Sequence, residues 1–348
     1  MSRKDTLYRI SVVLKDKDKK SYFKILKEVI TLWVIKKRFP QHYFGRFLYR
    51  KNSGPYKNYL DNKEYNTIIS SKKLNLPGYY HIVDNKLTFA MICEKFNLPA
   101  PKLLGYNLKR DFFYQDKVQR ITGISELGEY FEKLFSETGE EKVFVKSLNG
   151  SGGKETYLLK RSTLNENLKE LGDTILDQPC IHQACIEQHP EISKIYAGSV
   201  NSMRVETYMD KDNNPEFLGI LMRFGVGGSP LDNVSAGGFF VAIDKESGTL
   251  METGMKALIF GGTKIWKHPD TGFRFEGFKV PYFEECKALC VELLRYFPCR
   301  LAGWDIAITP TGPVVIEGNP NPGINMGELE YGGLVNHPMY REVILGKS

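Results

Sequence analysis

Gly303-Trp304-Asp305-Ile306-Ala307-Ile308, a Thr309-Pro310-Thr311-Gly312 turn, and Val314-Val315-Ile316-Glu317-Gly318-Asn319-Pro320-Asn321-Pro322-Gly323 read as a β-hairpin of two apolar strands. Asp305 stands near the start of the first strand and Glu317-x-Asn319 at the end of the second. Three oxygen-bearing side chains therefore converge at one end of the hairpin, and period-2 alternation puts Glu317 and Asn319 on one face. Hard oxygen donors of this kind suit Mg²⁺, which takes one or two carboxylates and completes its octahedron with water and phosphate oxygens. The plain alternative is a surface hairpin with solvated acids. Carboxylates set directly against a run as apolar as Val314-Val315-Ile316 argue against it.

Upstream, the same apolar alternation recurs. Val143 to Lys146 and Thr156 to Lys160 read as two strands joined by the loop Asn149-Gly150-Ser151-Gly152-Gly153-Lys154, and further strands are expected at Cys180 to Ile186, Ser202 to Met209, Phe217 to Phe224 and Gly238 to Ile243. Helices are expected from Lys86 to Phe96, stopped by Pro99 and Pro101, from Ser162 to Leu171, and from Pro281 to Tyr296. Helices between mostly antiparallel strands make an α+β class. The glycine loop gives backbone N–H groups close access to phosphate oxygens, and Lys146 adds a point charge at its base. It is neither a Walker A sequence nor a GxGxxG fingerprint, and alone it reads equally well as a flexible turn.

Taken together, these segments resemble the ATP-grasp superfamily, most closely the sugar-transfer-associated group of polysaccharide-biosynthesis proteins. The likeness runs from about Asp84 to Gly333 and includes Ser199 to Val205, Met222 to Gly225 and Gly237-Gly238. It implies two α+β lobes holding ATP between them, with a basic, partly helical segment over residues 1–80, an N-terminal lobe over 81–190 and a C-terminal lobe over 191–348. By resemblance Asp305, Glu317 and Asn319 are the magnesium ligands, and Lys86 and Lys146 contact the nucleotide phosphates. Gly150, Ser151, Gly152, Gly153 and Lys154 would fold over the triphosphate, while Gln183 to Ile186 supplies the adenine hinge. Many relatives carry Glu where Gln183 stands. Arg204 and Arg223 lie on strands expected to face the cleft, where either could neutralise an acyl phosphate or serve a structural ion pair. Asn321 would position the acceptor or close the turn, and His268 is a substrate contact or a structural loop residue.

The implied activity is that of a Mg²⁺-dependent, ADP-forming ligase that activates a carboxylate with ATP and passes it to an amine or thiol. A glycan or small-molecule carboxylate and an amino acid are the expected partners, in cell-surface polysaccharide biosynthesis. A nucleotide-binding module without ligase activity, or a kinase that stops after phosphoryl transfer, are the alternatives. No GxSxG elbow marks a serine nucleophile.

The composition, with 42% hydrophobic and 26% charged residues, excludes a disordered chain. The net charge of +7 is uneven: residues 1 to 60 hold 16 Lys+Arg against 4 Asp+Glu, a local excess of 12. That arm shows no nucleic-acid motif, and no nucleic-acid partner is expected. Phe23, Leu26, Ile30 and Trp33 recur at helical spacing within it. This stripe is expected to pack on the body, the alternative being contact with an anionic membrane or a lipid-linked glycan. Cys93, Cys180, Cys185, Cys286, Cys290 and Cys299 show no zinc spacing and read as reduced core thiols. With no leader and no apolar run of membrane-spanning length, a cytoplasmic location is expected, peripheral at the inner membrane face if the arm binds lipid.

Overall fold

The computed structural model describes residues 3–148, 150, 155–229, 231–232, 234 and 237–347. The chain opens with helices α1 (Arg3–Lys15), α2 (Tyr22–Lys36) and α3 (Gln41–Gly45). Ser21 caps α2 by accepting the Lys24 N–H at 3.3 Å, and Lys37, at φ 55°, turns the chain out of it. Then come α4 (Asn62–Ile69), started by a capping box between Asp61 and Glu64, and the short α5 (Tyr80–Asp84). Asn85 caps α6 (Lys86–Lys95), so Lys86 is fixed at the first turn of a helix.

The stripe expected to pack against the body does not do so. Phe23, Leu26, Ile30 and Trp33 face outward, and the buried side of α2 carries Glu28, Val29 and Leu32. The reason is a polar cluster that no periodicity reveals. Buried Lys20 donates to Glu28 (2.8 Å) and to the Leu48 carbonyl (2.8 Å), and the Tyr43 hydroxyl donates to Glu28 at 2.6 Å. A carboxylate satisfied on all sides can be buried, and its burial sets the rotation of the helix.

The first lobe contains β1 (Leu103–Leu108), β2 (Asp111–Tyr114), β3 (Lys117–Arg120), α7 (Ile124–Thr138), β4 (Lys142–Ser147), β5 (Thr156–Lys160), α8 (Leu164–Asp177) and β6 (Cys180–Ala184). Among the described residues its strands form a six-stranded antiparallel sheet, ordered β3-β2-β1-β6-β4-β5. Leu127, Phe131 and Leu134 of α7 and Leu168 of α8 cover one face through Val143 and Val145. Strand β6 stops at Ala184, so Cys185 and Ile186, expected within the strand, lie just beyond its end.

After α9 (Pro190–Ile195), the second lobe holds β7 (Ser202–Met209), β8 (Pro215–Phe224), β9 (Phe239–Ile243), β10 (Leu250–Met255), β11 (Lys264–Ile265), α10 (Phe283–Tyr296), β12 (Leu301–Thr309) and β13 (Gly312–Asn319), followed by α11 (Asn325–Tyr331) and α12 (Pro338–Val343). The seven strands are ordered β11-β10-β9-β8-β7-β12-β13. One face carries Met203, Val205, Ile220, Met222, Trp304 and Ile306 into the main core against α10 and α6. The other face packs Tyr208, Leu218 and Leu301 against Ile68, Leu334 and Met339, and beyond that contact it carries the polar side chains of the site. Helix α10 starts two residues later than Pro281 suggests, because Tyr282 adopts a left-handed conformation, φ 53°, and displaces the start to Phe283. The six cysteines are unpaired, and burial pushes the thiols of Cys93, Cys180, Cys286 and Cys299 up to about 12. Among the described residues no helix is long and apolar enough to cross a membrane.

Candidate active site

Three adjacent strands place a row of charge on the open face of the second sheet. In register, Arg204 of β7 lies opposite Asp305 of β12, which lies opposite Glu317 of β13. Gly303 and Asn319 pair two positions along, on the same face, and Gly303 leaves the space in which Arg204 runs: a Cβ there would sit 3.4 Å from the guanidinium. The Arg204 Nε and Nη2 donate to the two Asp305 oxygens at 2.5 and 3.1 Å, and Arg223 Nη2 of β8 donates to Asp305 Oδ2 at 2.9 Å.

Burial works to raise Asp305, but these two guanidiniums outweigh it and hold the carboxyl below its ordinary value. Glu317 moves the other way, raised first by burial and then by the negative charge of Asp305. Two carboxylates in register that repel each other, with the Asn319 amide beside them, form the kind of donor set a hard divalent cation relieves. The residues fit Mg²⁺. Asp305 must release at least one guanidinium contact to join such a site, since both its oxygens accept from arginine.

Two residues of the segments that carry the family likeness, Ser202 and Asp232, were given no role from sequence. Asp232 accepts from the Ser202 N–H (2.7 Å) and hydroxyl (2.5 Å), and Arg223 Nη2 donates to that same hydroxyl at 2.5 Å. Ser202 is thereby a fixed bridge between Asp232 and Arg223. The available signal was the period-2 alternation that puts Ser202 on the Arg204 face.

Lys146 of the first lobe stands across the gap from Glu317, and Lys86 stands beside them at the start of α6, which packs on the second lobe. Lys146, on β4, is held down to about 8, first by burial, reinforced by Lys86 and opposed by Glu317. Lys86 Nζ donates to the Gly150 carbonyl at 2.5 Å and so ties the base of the glycine loop to α6. Ser151, Gly152, Gly153 and Lys154 lie outside the described residues. Lys86, Lys146, Gln183 and Glu317 line a gap that leaves about 20 Å³ of open space, far below the roughly 300–1,000 Å³ of a small-molecule site.

The remaining expected residues are placed as follows. Gln183 is buried on β6, its amide 3.5 Å from the Pro101 carbonyl. Ile186 follows the strand end, partly exposed. Asn321 is exposed, and its amide nitrogen donates to the Ile69 carbonyl at 2.6 Å, which closes the turn onto the end of α4. His268 is fully buried, with Nε2 on the Gly225 carbonyl (2.9 Å) and Nδ1 accepting the Asp270 N–H (3.2 Å). Both ring nitrogens are spent on backbone, so the structural reading of His268 is the one its contacts support.

The sequence matches the family described as sugar-transfer associated ATP-grasp over residues 69–339. No curated protein matches it. Among solved structures it is similar to the ATP-grasp ligase PsnB complexed with a phosphomimetic variant of its minimal precursor, Mg and ADP. That similarity is 15% identity and a TM-score of 0.43, with 78% of this chain and 61% of that one covered. The D-alanine-D-alanine ligase from Coxiella burnetii gives 10% identity and a TM-score of 0.44, with 78% and 59% covered. The chain thus spans about 60% of the length of these structures.

Proposed function

The chain belongs to the sugar-transfer associated ATP-grasp family, and from that membership we propose that it is an ADP-forming ligase that activates a carboxylate with ATP and joins it to an amine. The observation that carries this reading is the in-register row Arg204–Asp305–Glu317 on the second lobe, with Glu317 lining one gap with Lys86 of α6 and with Lys146 of the first lobe.

Phosphoryl transfer needs little covalent help from a protein and much charge neutralisation, with the reacting atoms held in line. Magnesium held by Asp305, Glu317 and Asn319 would supply charge neutralisation at the β- and γ-phosphates. Lys146 would hold the nucleotide's phosphates from the opposite wall, and Lys86 from the start of α6. The carboxylate oxygen attacks the γ-phosphorus, the bond to the β-phosphate oxygen breaks, and ADP leaves with its electron pair. Arg204 and Arg223 are placed to neutralise the acyl phosphate formed. The amine then attacks the acyl carbon, phosphate departs, and the amine proton passes to solvent. The family's sugar-transfer association supports an acidic sugar or a small acid as the carboxylate, with an amino acid as the amine and a role in cell-surface polysaccharide assembly as part of the same proposal.

ADP and phosphate release, screened against pools of uronic acids and amino acids in the presence of Mg²⁺, tests the reading. Release that requires both a carboxylate and an amine is expected. ATP binding with no such release from any pool would overturn the ligase reading in favour of a nucleotide-binding module, and release with a carboxylate alone would favour a kinase.

A further inference from the structure

Helix α2 is amphipathic in the reverse of the usual sense. Its inward side is closed by Glu28, Val29 and Leu32, and its outward side exposes Phe23 (80%), Leu26 (57%), Ile30 (50%), Trp33 (53%) and Val34 (73%). These positions, spaced three and four apart, form one continuous strip. The strip extends past the helix end, where the Trp33 ring meets half-exposed Phe39 edge to face at 6.0 Å. An apolar ridge of this size on an otherwise well-packed protein marks a contact surface.

The charge beside the ridge has one sign. Lys24, Lys27 and Lys37 are exposed and make no ion pair among the described residues. Among the described side chains the arm's carboxylates are spent elsewhere: Glu28 on Lys20, Asp16 on Arg50 and Asp18 on Lys264. A single convex helix face, aromatic and aliphatic along its crest and flanked by free lysines, matches a partner that is flat, apolar beneath and anionic on top. A bilayer interface takes up such a helix to a depth of about 5–10 Å, with Trp at the level of the headgroups. A second copy fits poorly, because twofold pairing of α2 would bring both sets of lysines together with no carboxylate on that face to balance them.

We propose that the outer face of α2 docks the protein on an anionic lipid surface. The contact is independent of the ligase reading and does not depend on any residue of the cleft. The arm is also fixed to the body. Arg46 pairs with Glu328 at 2.8 Å, and Arg50 donates to the Gly262 carbonyl at 2.5 Å. A docked α2 therefore holds the interlobe cleft in one orientation above the membrane.

Sedimentation of the full chain with phosphatidylcholine vesicles, with and without phosphatidylserine, tests this. Binding is expected only with phosphatidylserine, weakening as salt shortens the Debye length below about 8 Å. It should be accompanied by a blue shift of the Trp33 emission that is absent in Trp33→Phe. Leu26→Ser with Ile30→Ser removes binding, and Lys24→Gln with Lys27→Gln weakens it about thirtyfold, roughly fivefold for each lysine. All of these positions are solvent-exposed, so the thermal midpoint of each variant stays that of the parent. Failure of the parent to sediment with phosphatidylserine vesicles would overturn the proposal. So would undiminished binding by the double serine variant, or a concentration-dependent dimer that the same substitutions abolish.

Discussion

Asp305 and Glu317 are cross-strand neighbours with opposite electrostatic histories, and their conservative variants should separate accordingly. Glu317→Gln removes a repelled carboxylate, so turnover should fall by about a hundredfold or more while stability holds or rises. Asp305→Asn should lose turnover as fully, and also about 3 kcal/mol of stability, because it leaves Arg204 and Arg223 partly buried without their shared partner. Parallel urea unfolding and ADP release would check both. Lys146 offers a test by pH. With its ammonium depressed to about 8, the free protein loses that charge as pH rises through 8, while bound phosphate favours the charged form. The dissociation constant for ATP should then rise about tenfold per pH unit above 8, and Lys146→Arg should flatten the profile. Calorimetry across that window decides it. The grouping of Asp305, Glu317 and Asn319 at one end of the hairpin was legible because they interrupt strongly apolar strands. The double pairing of Asp305 was not, since it depends on which strand lies beside which.

At the level of elements, the hairpin β12–β13 and the strands β4, β5, β7 and β8 could be read from apolar runs bounded by turn signals, even though β12 is buried on both faces. Helix α7 and the β1–β3 meander were passed over. Residues 117–120 of β3 are exposed throughout and carry no alternation to read. The facing of α2 was misjudged for a different reason: hydrophobic spacing identifies a helix, but Lys20 and Tyr43, from outside it, decide which side is inward. A close backbone approach governs α11. An added Cβ at Gly219 of β8 would stand 2.3 Å from the Gly327 Cα, so the helix lies directly on the sheet with no side chain between. Gly219→Ala should lift α11 and cost about 1–3 kcal/mol, read as a lower urea midpoint with an unchanged slope. Glu206, fully buried beside that contact, is raised to about 8 by burial, so the fold favours its neutral form. Its contribution is present at low pH and is lost as pH rises from the ordinary glutamate range toward 8; Glu206→Gln should gain stability relative to the parent over that window.

On the scale of the whole molecule, the N-terminal segment is joined to the body by charge as well as by its own core. Glu328, fully buried, accepts from Arg46 at 2.8 Å and from the Leu60 N–H at 2.6 Å. Arg46→Met should cost about 3–5 kcal/mol by stranding that carboxylate, and Glu328→Gln in the same chain should restore part of the loss; a double-mutant cycle of urea unfolding measures the coupling. These contacts join residues 282 and 268 apart in sequence. At about 5–20 residues per second, the ribosome takes roughly 15–55 s to travel from Arg46 to Glu328. Asn58 likewise waits for the Val335 N–H that its carbonyl accepts at 2.8 Å. The part of the chain made first is therefore completed last, and nascent chains arrested before residue 328 should show a protease-sensitive N-terminus that becomes resistant only once the C-terminal helices have emerged.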